Sequence, residues 1–184
     1  MKFASVAHRL DSAASYAWAI HDQARQRQRE GEDIILLSVG DPDFDTPPAI
    51  TDAAIASLRA GRTHYGGFAG GAEFRQAVAD RHLARTGQTV APEQVVICPG
   101  AQNGLYAVAM CLVEAGDEVI VPEPRYVTYG SVVDSTGATR VDVPLDVDRG
   151  FHLDPDKVAA AITDRTRMIL LNTYLLYTSP SPRD

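Results

Sequence analysis

Pro99-Gly100-Ala101-Gln102 follows the β-branched run "QVVIC" and leads into a stretch with helical periodicity. Amides in a first helical turn have no intrahelical acceptor, and the helix dipole is positive there, so the turn suits a phosphate group. Gly100 lets the backbone approach an anion closely, and Gln102 or Asn103 can donate from the side chain. The same turn would serve as an ordinary capped strand-to-helix connection. It is neither GxGxxG nor a Walker A loop, which weakens the usual nucleotide readings. A second stretch, "EPRYVTY", follows the strand-like "DEVIVP" and is expected to place Tyr126 in the first turn of the next helix. Its ring could stack on a planar heterocycle, or pack half-buried against a sheet. The end of "RMILLN" brings Asn172 to the same kind of edge. A phosphate cradle with an aromatic lid implies a phosphorylated, flat, ring-bearing cofactor. Pyridoxal phosphate and a nucleotide both answer that description, and residue chemistry alone does not separate them.

These residues need elements to carry them, and the chain reads as strands and helices in alternation. Residues 13–29 form an expected helix with Ala17, Ile20 and Ala24 on one face and a solvated, arginine-rich exit. "DIILLSV" is an expected strand, followed by a turn rich in Asp and Pro. A helix over 47–60 starts at Pro47-Pro48 and is closed by Gly61. The next helix carries Phe74, Ala77 and Val78 as its apolar stripe and stops at Gly87. "QVVIC" is a strand, and the helix after it carries Leu105, Val108 and Leu112. "DEVIVP" is a strand and "EPRYVTYGSVVDSTG" a helix with Pro124 in its first turn. "TRVDVPL" is a strand, "DPDKVAAAIT" a helix capped by Asp154 with Pro155 next, and "RMILLN" a strand. That rhythm, with several strands running apolar without alternation, predicts an α/β fold of three layers: a mainly parallel sheet with helices on both faces. Ligands in such sheets gather beyond the carboxyl ends of the strands, where the stretches above lie.

The net charge of −7 gives little support to nucleic-acid binding by phosphate neutralisation. Cys98 and Cys111 lie in apolar runs without CxxC spacing, so buried, reduced thiols are expected. No signal-peptide pattern or membrane-length apolar stretch is present, and a cytoplasmic setting is expected.

"LLSVGDPDFDTP", "THYGGFAGGAEFRQAVADRH", "VVICPGAQNGLYAVAMCLVEAGDEVIVPEPRYVTY" and "MILLNT", in that order, resemble the N-terminal half of class I/II aminotransferases. These are pyridoxal-phosphate enzymes of fold type I. The resemblance runs from about Ala14 to Thr173. Within the family, "SVGDPDFDTP", "GAQ", "GDEVIV" and "YVTY" look most similar to arginine–pyruvate transaminases. The resemblance implies an N-terminal arm and the start of a small domain over 1–45, and the N-terminal part of the cofactor-binding large domain over 46–173. It implies that Gly100, Ala101 and Gln102 contact the cofactor phosphate and that Tyr126 stacks on the pyridine ring. Tyr65 would reach across a homodimer interface to the partner's cofactor phosphate, and Gly40 would lie on the segment that helps hold the substrate carboxylate. Substrates would be an amino acid and a 2-oxo acid.

Beyond "ILLNT" the chain departs from the family pattern. Tyr174 opens "YLLYTSPSPRD", and Leu176 stands where the family has an asparagine facing the ring hydroxyl. The expected reading is a truncated, incomplete large domain with a non-native-looking tail over 174–184. No Schiff-base lysine is found, because Lys2 and Lys157 are the only lysines and neither follows a strand into the crevice. The isolated chain is therefore expected to be inactive and to expose apolar surface. A carbon–sulfur lyase on the same scaffold, a non-catalytic aminotransferase-like sensor and a nucleotide-binding domain are the rival readings.

Overall fold

The computed structural model describes residues 2–10, 13–40 and 42–172, with the backbone alone for 13–17. Thr173 and the 174–184 segment, with Tyr174 and Leu176, lie outside the described residues. The helices are α1 (Ser5–Arg9), α2 (Ala13–Arg29), α3 (Pro48–Arg59), α4 (Ala72–Thr86), α5 (Ala101–Leu112), α6 (Tyr129–Thr136) and α7 (Pro155–Ala161). The strands are β1 (Glu118–Glu123), β2 (Thr139–Pro144) and β3 (Thr166–Ile169). The chain divides into two compact units, Met1–Val39 with Leu105–Asp184, and Gly40–Gly104.

The first unit is organised by one sheet of order β2-β1-β3, parallel throughout. β1 pairs along its whole length with β2, from Glu118↔Thr139 to Glu123↔Pro144. It reads Glu-Val-Ile-Val, with all four residues buried, as a strand covered on both faces must. Val119 and Val121 join Val113, Tyr129, Val133 and Leu170 in the core. Ile120, wholly buried, points to the other face. The connections β1–α6–β2 and β2–α7–β3 run in opposite directions along the sheet, so right-handed crossovers put α6 and α7 on opposite faces.

Local chemistry sets the ends. The Asp154 carboxylate accepts from the Asp156 amide at 3.0 Å, and Pro155, which lacks an N–H, takes the first helical position of α7. Arg9 closes the far end of α6: its Nε donates to the Asp134 carbonyl and its Nη2 to the Ser135 carbonyl, both at 3.0 Å. α4 stops at Gly87, whose φ of 73° suits a residue without a Cβ. Glu118, buried at the start of β1, is held by the Arg165 guanidinium at 2.5 Å and the Thr163 hydroxyl at 2.6 Å. Those partners offset the cost of taking its charge out of water.

Several expectations need correction. The segment 33–39 pairs with no strand among the described residues and bends at Ser38 and Val39. Gln28 Nε2 takes the Ile34 carbonyl at 3.2 Å, and Ile35 and Leu37 are exposed. "QVVIC" is likewise outside the ladder; the Ile97 amide bonds the Ala69 carbonyl, a loop partner. A β-branched run becomes a strand only where a second segment completes its hydrogen bonds.

Helix phases shift too. In α4 the covered positions are Arg75, Val78, Ala79 and His82, while Phe74 and Ala77 face outward. In α5 they are Leu105, Ala109 and then Val113, with Val108 and Leu112 exposed. Small alanines let these helices pack closely, so the buried stripe follows Ala rather than the largest side chains. In α2, Ala24 is half-buried but Ile20 is exposed, and His21 carries the contact instead, with Nδ1 2.7 Å from Ser38 Oγ. Cys98 is half-buried, but Cys111 is exposed on the outer side of α5; both are free thiols. Among the described residues no helix is long and apolar enough to cross a membrane.

Urea unfolding checks the core and the phase of α4. Ile120→Ala should destabilise the chain by about 2–5 kcal/mol, as cavity-forming truncations do. Phe74→Ala, at a side chain 58% exposed, should cost less than about 0.5 kcal/mol. A large loss at Phe74 would restore the other phase. Arg9→Ala should lower stability by about 1 kcal/mol through the lost cap on α6; an unchanged midpoint would count against that cap.

Candidate functional site

The carboxyl ends of the strands open on a cavity of about 400 Å³ in the first unit. Pro122 and Pro124 bring β1 and the chain leaving it to the wall, Leu145 the chain leaving β2, and Leu170, Leu171 and Asn172 the chain leaving β3. Leu170 continues the β3 ladder past its last residue by donating to the Ile120 carbonyl at 2.9 Å. Asn172 thus reaches the crevice wall, as its place at the end of "RMILLN" suggests. Phe151 and His152, on the loop between β2 and α7, also line the wall. His152 Nδ1 faces the Arg149 carbonyl, which can only accept, so that nitrogen carries the proton.

Tyr126 lies beside this cavity, but not in a helix. β1 stays paired to β2 through Glu123, and the Leu145 amide bonds the Glu123 carbonyl at 2.7 Å. The chain therefore leaves the sheet one residue later than expected, and α6 begins only at Tyr129. Tyr126 precedes it at the head of a turn, its carbonyl accepting from the Tyr129 amide at 3.1 Å. The two rings lie 5.6 Å apart at 59°, a tilted aromatic contact. Tyr129 is buried and lines the cavity, while Tyr126 remains 44% exposed. Burial first, and the neighbouring Tyr126 second, push the Tyr129 phenol above its ordinary value, so it stays a neutral hydroxyl at neutral pH. Arg125, between Pro124 and Tyr126, also lines the wall. Sequence reasoning passed over Arg125, Tyr129 and His152. The signal available was that Arg125 and Tyr129 flank Tyr126 inside the one motif "PRYVTY".

The second unit carries the remaining residues. Gly100 has φ of 88°, and no atom lies within 4 Å of where a Cβ would stand, so the turn is left-handed and open. Its amide bonds the Cys98 carbonyl at 2.8 Å, and its carbonyl accepts from the Gly104 amide at 3.4 Å as α5 begins. Ala101 and Gln102 occupy the exposed first turn of that helix. The geometry is that of an accessible helix N-terminus behind a glycine turn, which suits an anionic oxygen. Tyr65 is exposed to 107% of the reference value, in a shallow surface concavity with Thr63, His64 and Gly66. Gly40 is exposed, with open space around its α-carbon. Lys2 and Lys157 are both exposed, Lys157 within the first turn of α7 as expected, and neither lines the cavity.

Residues 32–174 match the family model for aminotransferase class I and II. The arginine–pyruvate transaminase of Pseudomonas aeruginosa is 50% identical over 173 residues, covering 94% of this chain and 44% of that protein. The probable aspartate/prephenate aminotransferase of Aquifex aeolicus is 36% identical, over 82% of this chain and 38% of its own length. Among solved structures, the aspartate aminotransferase of Thermus thermophilus with maleate matches with a TM-score of 0.89 at 32% identity, covering 94% of this chain and 45% of that one. The chain spans less than half the length of these relatives. A parallel sheet flanked by helices, a matching family model over most of the sequence and relatives of this kind together establish that the chain belongs to the aminotransferase class I and II family, with the fold type I architecture.

Proposed function

We propose that this chain supplies the phosphate-holding and ring-facing part of a pyridoxal-phosphate-dependent aminotransferase, which moves an amino group from an amino acid to a 2-oxo acid. The observation that carries the reading is the cavity at the carboxyl ends of the strands, walled by Asn172 and flanked by Tyr126, in a chain of this family. The residues suit the cofactor's chemistry. An open glycine turn ahead of α5 can take a phosphate on the amides of Ala101 and Gln102, which the helix dipole favours. A half-exposed phenol ring at Tyr126 can cover a flat heterocycle, while the buried Tyr129 supports it from behind. When bound, the cofactor supplies an electron sink that lets the substrate's α-carbon lose a proton. The chain's own part is to bind and orient, and the apolar wall formed by Leu145, Phe151 and Leu170 keeps water from that face.

Gly40 is assigned to the backbone segment that receives the substrate carboxylate. Tyr65, whose ring lends nothing to its own unit's core, is assigned to a homodimer contact with the phosphate held by the partner subunit. The setting is cytoplasmic, with no nucleic-acid or membrane partner. The 50% identical relative is named for arginine and pyruvate, which makes that pair the first substrates to test.

Neither lysine suits the role of taking the cofactor's aldehyde, since Lys2 and Lys157 are exposed and line no part of the cavity. The chain of 184 residues should therefore show neither amino transfer between arginine and pyruvate nor a visible band of lysine-bound cofactor with added pyridoxal phosphate. Either signal would overturn this account. Non-covalent binding, followed by quenching of the chain's intrinsic fluorescence, should be saturable and competed by inorganic phosphate. Tyr126→Ala should weaken it about two- to tenfold through the lost ring contact. Gly100→Ala should weaken it as well, because a Cβ strains a left-handed turn by about 1–2 kcal/mol. Indifference to both substitutions would remove these residues from the site.

A further inference from the structure

The segment 124–128 carries Tyr126 between β1 and α6 and is tied to the helix by the Tyr129 amide on the Tyr126 carbonyl at 3.1 Å and the Val132 amide on the Thr128 carbonyl at 3.2 Å. Its ring is braced on one side by Tyr129. Next to Tyr126 in the chain, Arg125 enters a charged cluster that spans three elements. Arg125 Nη1 lies 3.0 Å from Glu123 Oε2 at the end of β1 and 3.2 Å from Asp142 Oδ1 on β2. The same Asp142 oxygen receives Arg140 Nε at 2.9 Å, and Arg140 Nη1 reaches Asp134 Oδ1 on α6 at 3.8 Å. Arg125 is the least exposed member, at 17%. Room for the pair comes from Gly130 in the first turn of α6: a Cβ there would stand 2.9 Å from Arg140 Nη1 and 3.9 Å from Arg125 Nη2.

We propose that Arg125 is a positioning residue, clasping the 124–128 segment onto the sheet through Glu123 and Asp142 so that the Tyr126 ring is held at the edge of the carboxyl-end cavity. The importance of that ring rests on the reading of Tyr126 as the side chain that faces the cofactor. Two guanidinium groups among three carboxylates make a network, in which a shared Asp142 couples the loop to β2 and α6. Such a network holds geometry better than an isolated surface pair, because the ordering of each side chain serves more than one bond. Both acids are met by one nitrogen of Arg125, so the clasp needs a positive charge at that point rather than a planar fork. That distinguishes it from mere packing: Arg125→Lys should restore what Arg125→Gln loses.

The test uses the full chain carrying Trp18→Phe and Tyr126→Trp, so that the one tryptophan reports from position 126. Acrylamide quenching of its emission is the readout. Arg125→Gln should raise the quenching constant about two- to fivefold, the range an ion-pair network of this exposure supports, with Arg125→Lys returning it toward the parent value. An unchanged constant, or a rise that Lys fails to reverse, overturns the proposal. Asp142→Asn provides a second route if Arg125→Gln does not fold, since it removes the shared charge at constant volume; it too should loosen position 126, and no change there overturns the clasp. Pyridoxal phosphate added to each variant separates this idea from the one beneath it. If Arg125→Gln loosens position 126 while the cofactor alters the reporter's emission in no variant, the clasp stands and the cofactor reading of that position falls.

Discussion

The burial of β1 between two parallel partners is the constraint on which the rest of the sheet unit depends. Four consecutive side chains of that strand are shut from solvent, so both faces must be covered, and neither a one-residue slip nor a missing neighbour is tolerated without exposing them. Fixing β1 fixes where β2 and β3 end, and their ends are the walls of the cavity. Even the acidic residue at its start is drawn inside, where Arg165 and Thr163 hold it. The position of Tyr126, Asn172 and Leu145 is therefore a consequence of valine and isoleucine packing several residues upstream.

The elements that were legible in the sequence are those whose signals are local. Asp154 with Pro155 announces the start of α7, Gly87 the end of α4, and Pro48 the start of α3, because each acts through its own backbone or through an amide two residues away. β1, β2 and β3 were also legible, being β-branched runs that find partners within the chain. Runs 33–39 and 95–98 are likewise rich in β-branched residues yet join no ladder among the described residues. What separates them from strands is a distant segment, which no local pattern encodes. Helix faces failed for a related reason: Phe74 and Val108 dominate any count of apolar residues, yet small Ala79 and Ala109 decide how closely the helix can sit.

The local elements of the candidate site were legible in kind and less so in detail. Gly100 was legible as the glycine of a turn ahead of a helical run, and the structure adds that the turn is left-handed, with φ of 88°. Asn172 on the crevice wall follows from its place after a strand. Tyr126 was placed in a helix because Pro124 so often opens one. The ladder instead reaches Glu123 and the chain then turns over 126–129, so the helix begins only at Tyr129. Arg125 gave no signal alone, since its partners lie at Glu123 and at Asp142 on another strand.

Gly130 offers a last consequence. The hydrogen at its α-carbon leaves the space into which Arg140 lays its guanidinium, so positions 130 and 140 are bound by a volume that can be filled from either side but not from both. Across a lineage the two should change together: a side chain gained on the helix would be matched by a shorter residue on the strand, and where that exchange occurred Asp142 would lose one of its two cationic neighbours.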